Sequence, residues 1–264
     1  MDRVTENRDA RLGRGKSGRG RNRVDQGLGF LFDLVRHIPS LPRSMVVLTT
    51  ALALAGCEGA LSTVDPAGPA ARTIAQIWWV MLVGAVAIFA LVMALVALAF
   101  RARGPVDETR HERLWVIKLG IAFPVVVLLA LLAYGLAAGE RLLPRQGADV
   151  VRVGAEARRS AWAFSYADVA GLRTDHVLHI PAGRPVDVAI TSTDVIHSFW
   201  APRLAGKIDA IPGHVNILRI EADAPGVYAG RSAEFSGVGY DDFAFTVVAH
   251  DPASWERFVR SGTP

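Results

Sequence analysis

Two long apolar runs, separated by a short basic segment, limit what this chain can fold into more than any other feature. The runs are Ile74–Phe100 and Leu114–Leu136, and each is long enough to cross a hydrocarbon layer about 30 Å thick as a helix. The segment between them, residues 101–113, carries four arginines, and basic loops stay on the cytoplasmic side. The sequence therefore predicts a membrane hairpin, residues 74–140, whose two ends lie outside.

The composition agrees with a membrane protein that carries a folded outer part. Hydrophobic residues make up 51% of the 264 residues, and the mean hydropathy is +0.29. The formal net charge is +4, but ten basic residues lie within the first 43 positions, and the hairpin loop holds further arginines. Because membrane topology accounts for this distribution, we expect membrane lipid as a partner and no nucleic acid.

Residues 1–56 are expected to form a disordered basic extension followed by a lipoprotein signal peptide. The Arg/Gly-rich start has too little apolar surface to fold, and Val46–Leu54 has the length of a signal-peptide core rather than of a span. It ends in Leu54-Ala-Gly-Cys57, which looks like a bacterial lipobox, so lipidation is predicted at Cys57. A chance run of small residues is the alternative. Residues 57–73 would be the lipidated N-terminus and a linker.

Beyond the hairpin, residues 141–264 change to short strand-like runs broken by Gly, Pro and Asp. Such spacing predicts an outer domain that is a β-sandwich or a barrel. Asp251 followed by Pro252 supplies an N-cap and a first-turn proline, which predicts a closing helix over Pro252–Val259. The candidate strands are Val150–Val153, Ala161–Tyr166, Asp175–Ile180, Val186–Ser192, Val215–Ala222, Gly226–Gly230 and Phe243–His250.

Two loops of this outer domain have the layout of a metal-binding pair. The first, Asp194–Trp200, contains His197, and the second, Arg231–Phe243, has Gly237 and Gly239 to allow a tight turn. Both loops resemble the copper loops of subunit II of the heme-copper terminal oxidases. In that family the two loops together hold a dinuclear copper centre, CuA.

Most ligands of that centre are replaced in this sequence. His197 and Glu234 match the family pattern. The replaced positions are Ser232 and Ser236 for the two thiolates, Tyr240 for the histidine and Phe243 for the methionine. A copper pair needs soft bridging thiolates, and the single cysteine, Cys57, lies far upstream. We therefore expect no CuA. We expect His197 to be a structural, hydrogen-bonded residue, with a lone copper ligand as the alternative.

The resemblance runs from Asp65 to the C-terminus and has further implications. It implies a cupredoxin-like Greek-key fold for the outer domain and a partner, subunit I, that bears the hemes and CuB. Subunit III is a further expected partner. In the cytochrome c oxidases of the family, the first Trp of a Trp-x-Trp pair receives electrons from cytochrome c. Ser160 stands at that position and Trp162 at the second, so this entry port is missing as well.

Three more residues receive roles only through the resemblance. Glu234 corresponds to a carboxylate that helps to bind magnesium at the interface with subunit I, and one of several oxygen ligands suits that ion. The alternative is a simple interface hydrogen bond. Lys207 and Asp209 match a motif that docks the domain on subunit I, with a solvated pair as the alternative. We expect no catalytic residue in this chain.

These observations lead to one hypothesis and two rivals. The hypothesis is a non-catalytic subunit II of a proton-motive, quinol-oxidising terminal oxidase, a lipid-anchored scaffold in the bacterial inner membrane with its outer domain on the periplasmic side. The first rival is a cytochrome c oxidase subunit II that lost CuA and receives electrons through another subunit. The second is a copper-handling assembly lipoprotein, which would need a His/Met cluster.

Overall fold

Two long apolar helices precede a β-domain in the described part of the chain. The computed structural model describes residues 58–101, 113–144, 147, 149–159, 161–169 and 171–262. Helix α1 is Pro69–Arg101, and the second span begins as a π-helical segment, Arg113–Ala122, that continues into α2, Phe123–Leu142. The signal peptide, Cys57 and Ser160 lie outside the described residues.

Both helices are long and apolar enough to cross a membrane, and their most apolar stretches are not buried within the chain. Apolar surface on this scale requires lipid or a partner subunit rather than water. The helices confirm the predicted hairpin. Near the N-terminal end of α1, Trp78 and Trp79 contact each other edge to face, and exposed aromatic pairs of this kind suit the membrane interface.

The first turn of α1 is held by the outer domain. The N–H of Ala67 donates to the carbonyl of Arg203 at 2.7 Å, and the N–H of Asp223 donates to the carbonyl of Ala67 at 2.9 Å. Arg72 forms a two-pronged ion pair with Asp223, and Arg203 pairs with Asp65 at 2.8 Å. Helix α1 therefore begins earlier than the apolar run, because its polar first turn lies against protein and not in lipid.

Ten strands and a closing helix form the outer domain. The elements are β1 Val151–Arg158, β2 Ala161–Tyr166, β3 Arg173–Asp175, β4 Val177–Pro181, β5 Val186–Ser192, β6 His197–Phe199, β7 Ile208–Ala210, β8 Asn216–Ile220, β9 Gly226–Arg231, β10 Ala244–His250 and α3 Pro252–Ser261. The five-stranded sheet has the order β3-β2-β1-β5-β8, the three-stranded sheet has the order β4-β10-β9, and β6 pairs with β7. Strand β5 is parallel to β1, and β4 is parallel to β10.

The core lies between the two larger sheets and follows the two-residue period of the strands. Alternate side chains of β1, β5 and β10 are buried, as expected when one face of each strand meets the core. Trp162 lies at the centre, with ring centroids 5.7 Å from Phe199 and 5.4 Å from Phe245. This arrangement confirms the predicted β-sandwich.

The expected strand Asp175–Ile180 is two strands in different sheets. His176 separates them with φ of 61°, and such a left-handed conformation is uncommon for a residue that is not glycine. Its N–H donates to the carbonyl of Trp162 at 2.8 Å, and its carbonyl accepts from Thr246 at 2.9 Å. The chain thus crosses between sheets at His176, which the apolar pattern alone does not show.

Two histidines meet beneath the closing helix. Nδ1 of His179 and Nε2 of His250 share a hydrogen bond at 2.8 Å, and both rings stack on Phe258 of α3. Burial, together with the nearby His250, lowers the pKa of His179 to about 4. Burial also lowers the pKa of His250, with Asp251 acting in the opposite direction. Both imidazoles are therefore held neutral.

This pair predicts a loss of stability in mild acid. Because the pKa of His179 in the folded protein lies below the unfolded value of about 6.5, its contribution is complete above that pH. The contribution is lost as the pH falls toward about 4. We expect the free energy of unfolding to fall by up to about 3 kcal/mol over this range. Denaturant unfolding of the purified protein in detergent at several pH values measures it.

Replacement of His179 by Gln should flatten that pH dependence. His214→Gln is the matched control, because His214 is exposed and contacts Asn216 on the surface. If the free energy of unfolding falls as much in acid for His179→Gln as for the unmodified protein, the histidine pair is not the cause of the loss.

Candidate functional site

The two loops singled out in the sequence meet at one end of the sandwich. Trp200 and Arg231 form an isolated antiparallel bridge that brings the loops together. Two serines then join them in both directions. The N–H of Ser198 donates to Oγ of Ser232 at 3.2 Å, and the N–H of Ala233 donates to Oγ of Ser198 at 2.7 Å. Short backbone-to-hydroxyl bonds therefore close the junction between the loops.

Ser232, at the first thiolate position, is a buried part of this junction. It is only 1% exposed, and its N–H donates to the carbonyl of Phe243 at 2.8 Å. Its hydroxyl accepts the hydrogen bond of the buried Ser198 N–H, a group that would otherwise lack a partner there. Ser236, at the second thiolate position, lines a cleft instead.

His197 is buried and faces a carboxylate. Its side chain is 2% exposed, and Nε2 lies 2.9 Å from Oδ1 of Asp194. Since a carboxylate only accepts, Nε2 carries the proton that faces Asp194. Nδ1 is buried and has no hydrogen-bond partner in the described part of the chain. The ring of Phe243 contacts the imidazole edge to face, with centroids 5.1 Å apart.

Asp194 is a partner that the sequence pattern did not reveal. Partial desolvation raises its pKa, but hydrogen bonds from the Val195 N–H, His197 and Ser192 outweigh this and leave the pKa below its usual value. The carboxylate is therefore ionised at neutral pH and fixes the orientation of the His197 ring. A signal was present in the spacing Asp194-x-x-His197, which is too common to identify the pair without the structure.

A cleft of about 300 Å³ opens beside this pair. It is lined by Arg159, Asp194, Val195, His197, Ser236, Gly237, Val238, Tyr240 and Phe243. Its possible metal donors are one imidazole, one carboxylate and hydroxyl groups. Within residues 58–262, as far as they are described, no three His, Cys, Asp or Glu side chains come together as a metal site. This hard donor set does not fit a thiolate-bridged copper pair.

The last two positions of the copper pattern line the same cleft but differ in burial. Phe243, at the methionine position, is 3% exposed and stacks on Trp162 with centroids 5.6 Å apart. Tyr240, at the histidine position, is exposed and contacts Phe235 at 5.2 Å. Phe243 thus extends the aromatic core up to His197, while Tyr240 belongs to the outer surface of the loop.

The three residues assigned to the partner interface form one surface cluster. Nζ of Lys207 lies 2.9 Å from Oε2 of Glu234 and 3.4 Å from Oδ1 of Asp209. The hydrogen bond to Glu234 raises the pKa of Lys207, and the same bond lowers the pKa of Glu234. The structure therefore brings the magnesium candidate and the docking candidates together, with the ammonium group between two carboxylates.

The chain combines two apolar membrane helices with a two-sheet β-domain whose end loops are paired. This combination is typical of membrane-anchored, cupredoxin-like proteins. Comparison with known proteins specifies it further. Residues 158–249 match the family described as cytochrome c oxidase subunit II, periplasmic domain. The match includes both loops and places the outer domain in the cupredoxin-like fold that the resemblance implied.

Relatives that match over most of this chain give the same result. The chain is 26% identical to quinol oxidase subunit 2 of Bacillus cereus over 82% of this chain and 78% of the relative. It is 30% identical to cytochrome c oxidase subunit 2 of Alkalihalophilus pseudofirmus over 83% and 66%, and 29% identical to ubiquinol oxidase subunit 2 of Acetobacter aceti over 82% and 74%. The chain belongs to the subunit II family of the heme-copper terminal oxidases. It is a membrane-bound oxidase subunit.

The buried serine junction predicts a stability effect at one thiolate position and not at the other. Ser232→Ala removes the acceptor of the buried Ser198 N–H and should lower the free energy of unfolding by about 1–3 kcal/mol. Ser236→Ala removes a hydroxyl from the wall of the cleft and should change it by less than about 0.5 kcal/mol. Denaturant unfolding of the three proteins side by side measures both effects. An equal loss of unfolding free energy in the two variants would contradict the structural role of the Ser232 hydroxyl.

Proposed function

We propose that this chain is the subunit II of a quinol-oxidising terminal oxidase and that it carries no electrons itself. The observation that supports this most directly is the state of the first thiolate position. Ser232 is buried and holds the Ser198 N–H, while Phe243 fills the core where the methionine ligand would stand. The side chains that replace the copper ligands take part in packing and hydrogen bonding. They are therefore integrated into the fold and do not form an open metal site that merely lacks its ligands.

The names of the relatives support the same donor without deciding it. Two of the three relatives given above are named quinol or ubiquinol oxidase subunit 2, and one is named cytochrome c oxidase subunit 2. The donor set of the loops favours the quinol type, because quinol reaches a membrane-embedded partner without an outer copper relay. The replacement of the Trp-x-Trp entry residue by Ser160 agrees with it.

The contribution of the chain would then be mechanical and electrostatic. Helix α1 continues directly into contacts with the outer domain through Arg72 and Asp223, so the domain is held at a fixed place over the membrane. The cluster of Lys207, Asp209 and Glu234 would dock on subunit I, and Glu234 would supply one oxygen ligand to a shared magnesium ion. Hemes and CuB would belong to subunit I, and subunit III would complete the complex.

The same proposal includes the placement in the cell. The arginines beside the membrane helices favour a cytoplasmic loop and a periplasmic outer domain in a bacterial inner membrane. Lipid attached at Cys57 would hold the N-terminus to the outer leaflet and add about 0.8 kcal/mol of anchoring per buried methylene. Mass spectrometry of the mature N-terminus tests the lipidation, and an unmodified Cys57 would contradict it.

Oxygen uptake by the purified complex tests the electron donor. We expect turnover with a quinol and none with reduced cytochrome c, because these loops offer no thiolate to hold a copper relay. Turnover with reduced cytochrome c but not with quinol would reject the proposal. A heme stain of the subunits is the accompanying control, because it would reveal a cytochrome-bearing subunit that feeds electrons past this chain.

The surface cluster allows the magnesium and docking roles to be tested separately. Glu234→Gln keeps the size of the side chain and removes its charge, so the purified complex should lose about one magnesium ion if Glu234 is a ligand. Lys207→Gln should instead reduce the amount of subunit I that co-purifies. Metal analysis and quantitative gel analysis of the affinity-purified complex give both readings.

Asp242→Asn is the matched control for that experiment, because Asp242 is an exposed acid in the adjacent turn. It should change neither reading. An unchanged magnesium content in Glu234→Gln would limit Glu234 to an interface hydrogen bond. Full retention of subunit I by Lys207→Gln would exclude a docking role for the ammonium group.

A further inference from the structure

A second cleft lies within the membrane hairpin, at the end where the two spans are joined by the arginine-containing loop. It has a volume of about 440 Å³, and its walls are entirely apolar side chains. One wall is a stripe of α1 at intervals of three and four residues from Ile88 to Ala99, and the other includes Trp115 and Phe123. Its size is that of a site for a small ligand, roughly 300–1,000 Å³.

The second span opens this groove through its own backbone. The residues before α2 are wound as a π-helix up to Ala122, and Pro124 follows in the first turn of α2. Proline has no N–H and bends or interrupts a helix at this point. Gly120 lies on the groove wall, and a Cβ there would come within 3.1 Å of the carbonyl oxygen of Trp115. Gly120 therefore presents only backbone to this wall of the groove.

The shape of the groove selects a thin ligand. Its stripe on α1, from Ile88 to Ala99, is about 16 Å long at a rise of about 1.5 Å per residue. A volume of about 440 Å³ spread over that length corresponds to a cross-section of about 27 Å². A helix with its side chains is about 10–12 Å wide and does not fit. One extended hydrocarbon chain does, because carbon atoms in contact lie about 4 Å apart.

Cationic groups mark one end of the groove. Helix α1 ends at Arg101, two positions beyond Ala99, and the second span begins at Arg113, two positions before Trp115. Both arginines are exposed, and neither forms an ion pair with another residue in the described part of the chain. An apolar groove that ends at two exposed arginines fits an amphipathic ligand with a negative head group, and basic sites between membrane helices bind such lipids.

We propose that the groove is a binding site for one acyl chain of an anionic phospholipid, whose phosphate lies at Arg101 and Arg113. The positive-inside rule puts these arginines at the cytoplasmic leaflet, where anionic lipids are abundant. The lipid fills the opening that the π-helical segment and Pro124 leave between the spans. It is a structural lipid of the hairpin, separate from the lipid expected at Cys57.

Trp115 provides a probe inside the groove. The complex is reconstituted into phosphatidylcholine vesicles that contain a minor fraction of phosphatidylglycerol or of further phosphatidylcholine, each brominated on its acyl chains. The fluorescence difference between the unmodified complex and Trp115→Phe isolates the emission of Trp115. We expect brominated phosphatidylglycerol to quench that emission several-fold more strongly than the same fraction of brominated phosphatidylcholine.

Paired variants locate the effect. Ala99→Phe fills the groove and should abolish the preference, while Ala97→Phe makes the same change on α1 outside the groove and should retain it. Arg101→Gln with Arg113→Gln should remove the preference for phosphatidylglycerol. Equal quenching by the two lipids would mean ordinary surrounding lipid, and no quenching by either would mean that a partner subunit covers the groove. Either result would overturn the proposal.

Discussion

Hydrogen bonds between Ser198 and the loop around Ser232 hold together the two loops that resemble the copper loops of the family. In the copper-bearing members that the loops resemble, metal ligands join the same two loops. Here two buried hydroxyl contacts and the ring of Phe243 against His197 provide that connection. A buried N–H without a partner is costly, so the hydroxyl of Ser232 stabilises this junction. The loops therefore keep their arrangement with a donor set that does not suit a copper pair.

Hydrogen bonds and an ion pair also fix the connection between α1 and the outer domain. The linker residue Ala67 both donates to and accepts from the outer domain, and Arg72 of the first helical turn pairs with Asp223. Such a domain cannot swing freely on α1. The same contacts fix where the surface cluster of Lys207, Asp209 and Glu234 stands relative to α1.

Several features followed from the sequence because they are local. The hairpin is set by the length of its apolar runs, and the strands β1, β5 and β10 by alternation of buried and exposed residues. Other features depend on how segments that are far apart in the sequence pair with each other. The expected strand Asp175–Ile180 divides at His176 because its backbone bonds to both sheets. Histidines 71 positions apart meet because β4 and β10 are parallel neighbours, and neither spacing nor composition shows this.

The sequence by itself determined the membrane hairpin, the family resemblance and the loss of thiolates from the two loops, because length, pattern and residue identity need no coordinates. Only the tertiary structure decided what the replacing residues do. It buried Ser232, turned Tyr240 outward, placed Phe243 in the core and set Lys207 against Glu234. It also opened the groove between the spans. These outcomes depend on contacts between segments far apart in the chain, and such contacts are fixed only when the sheets and helices pack.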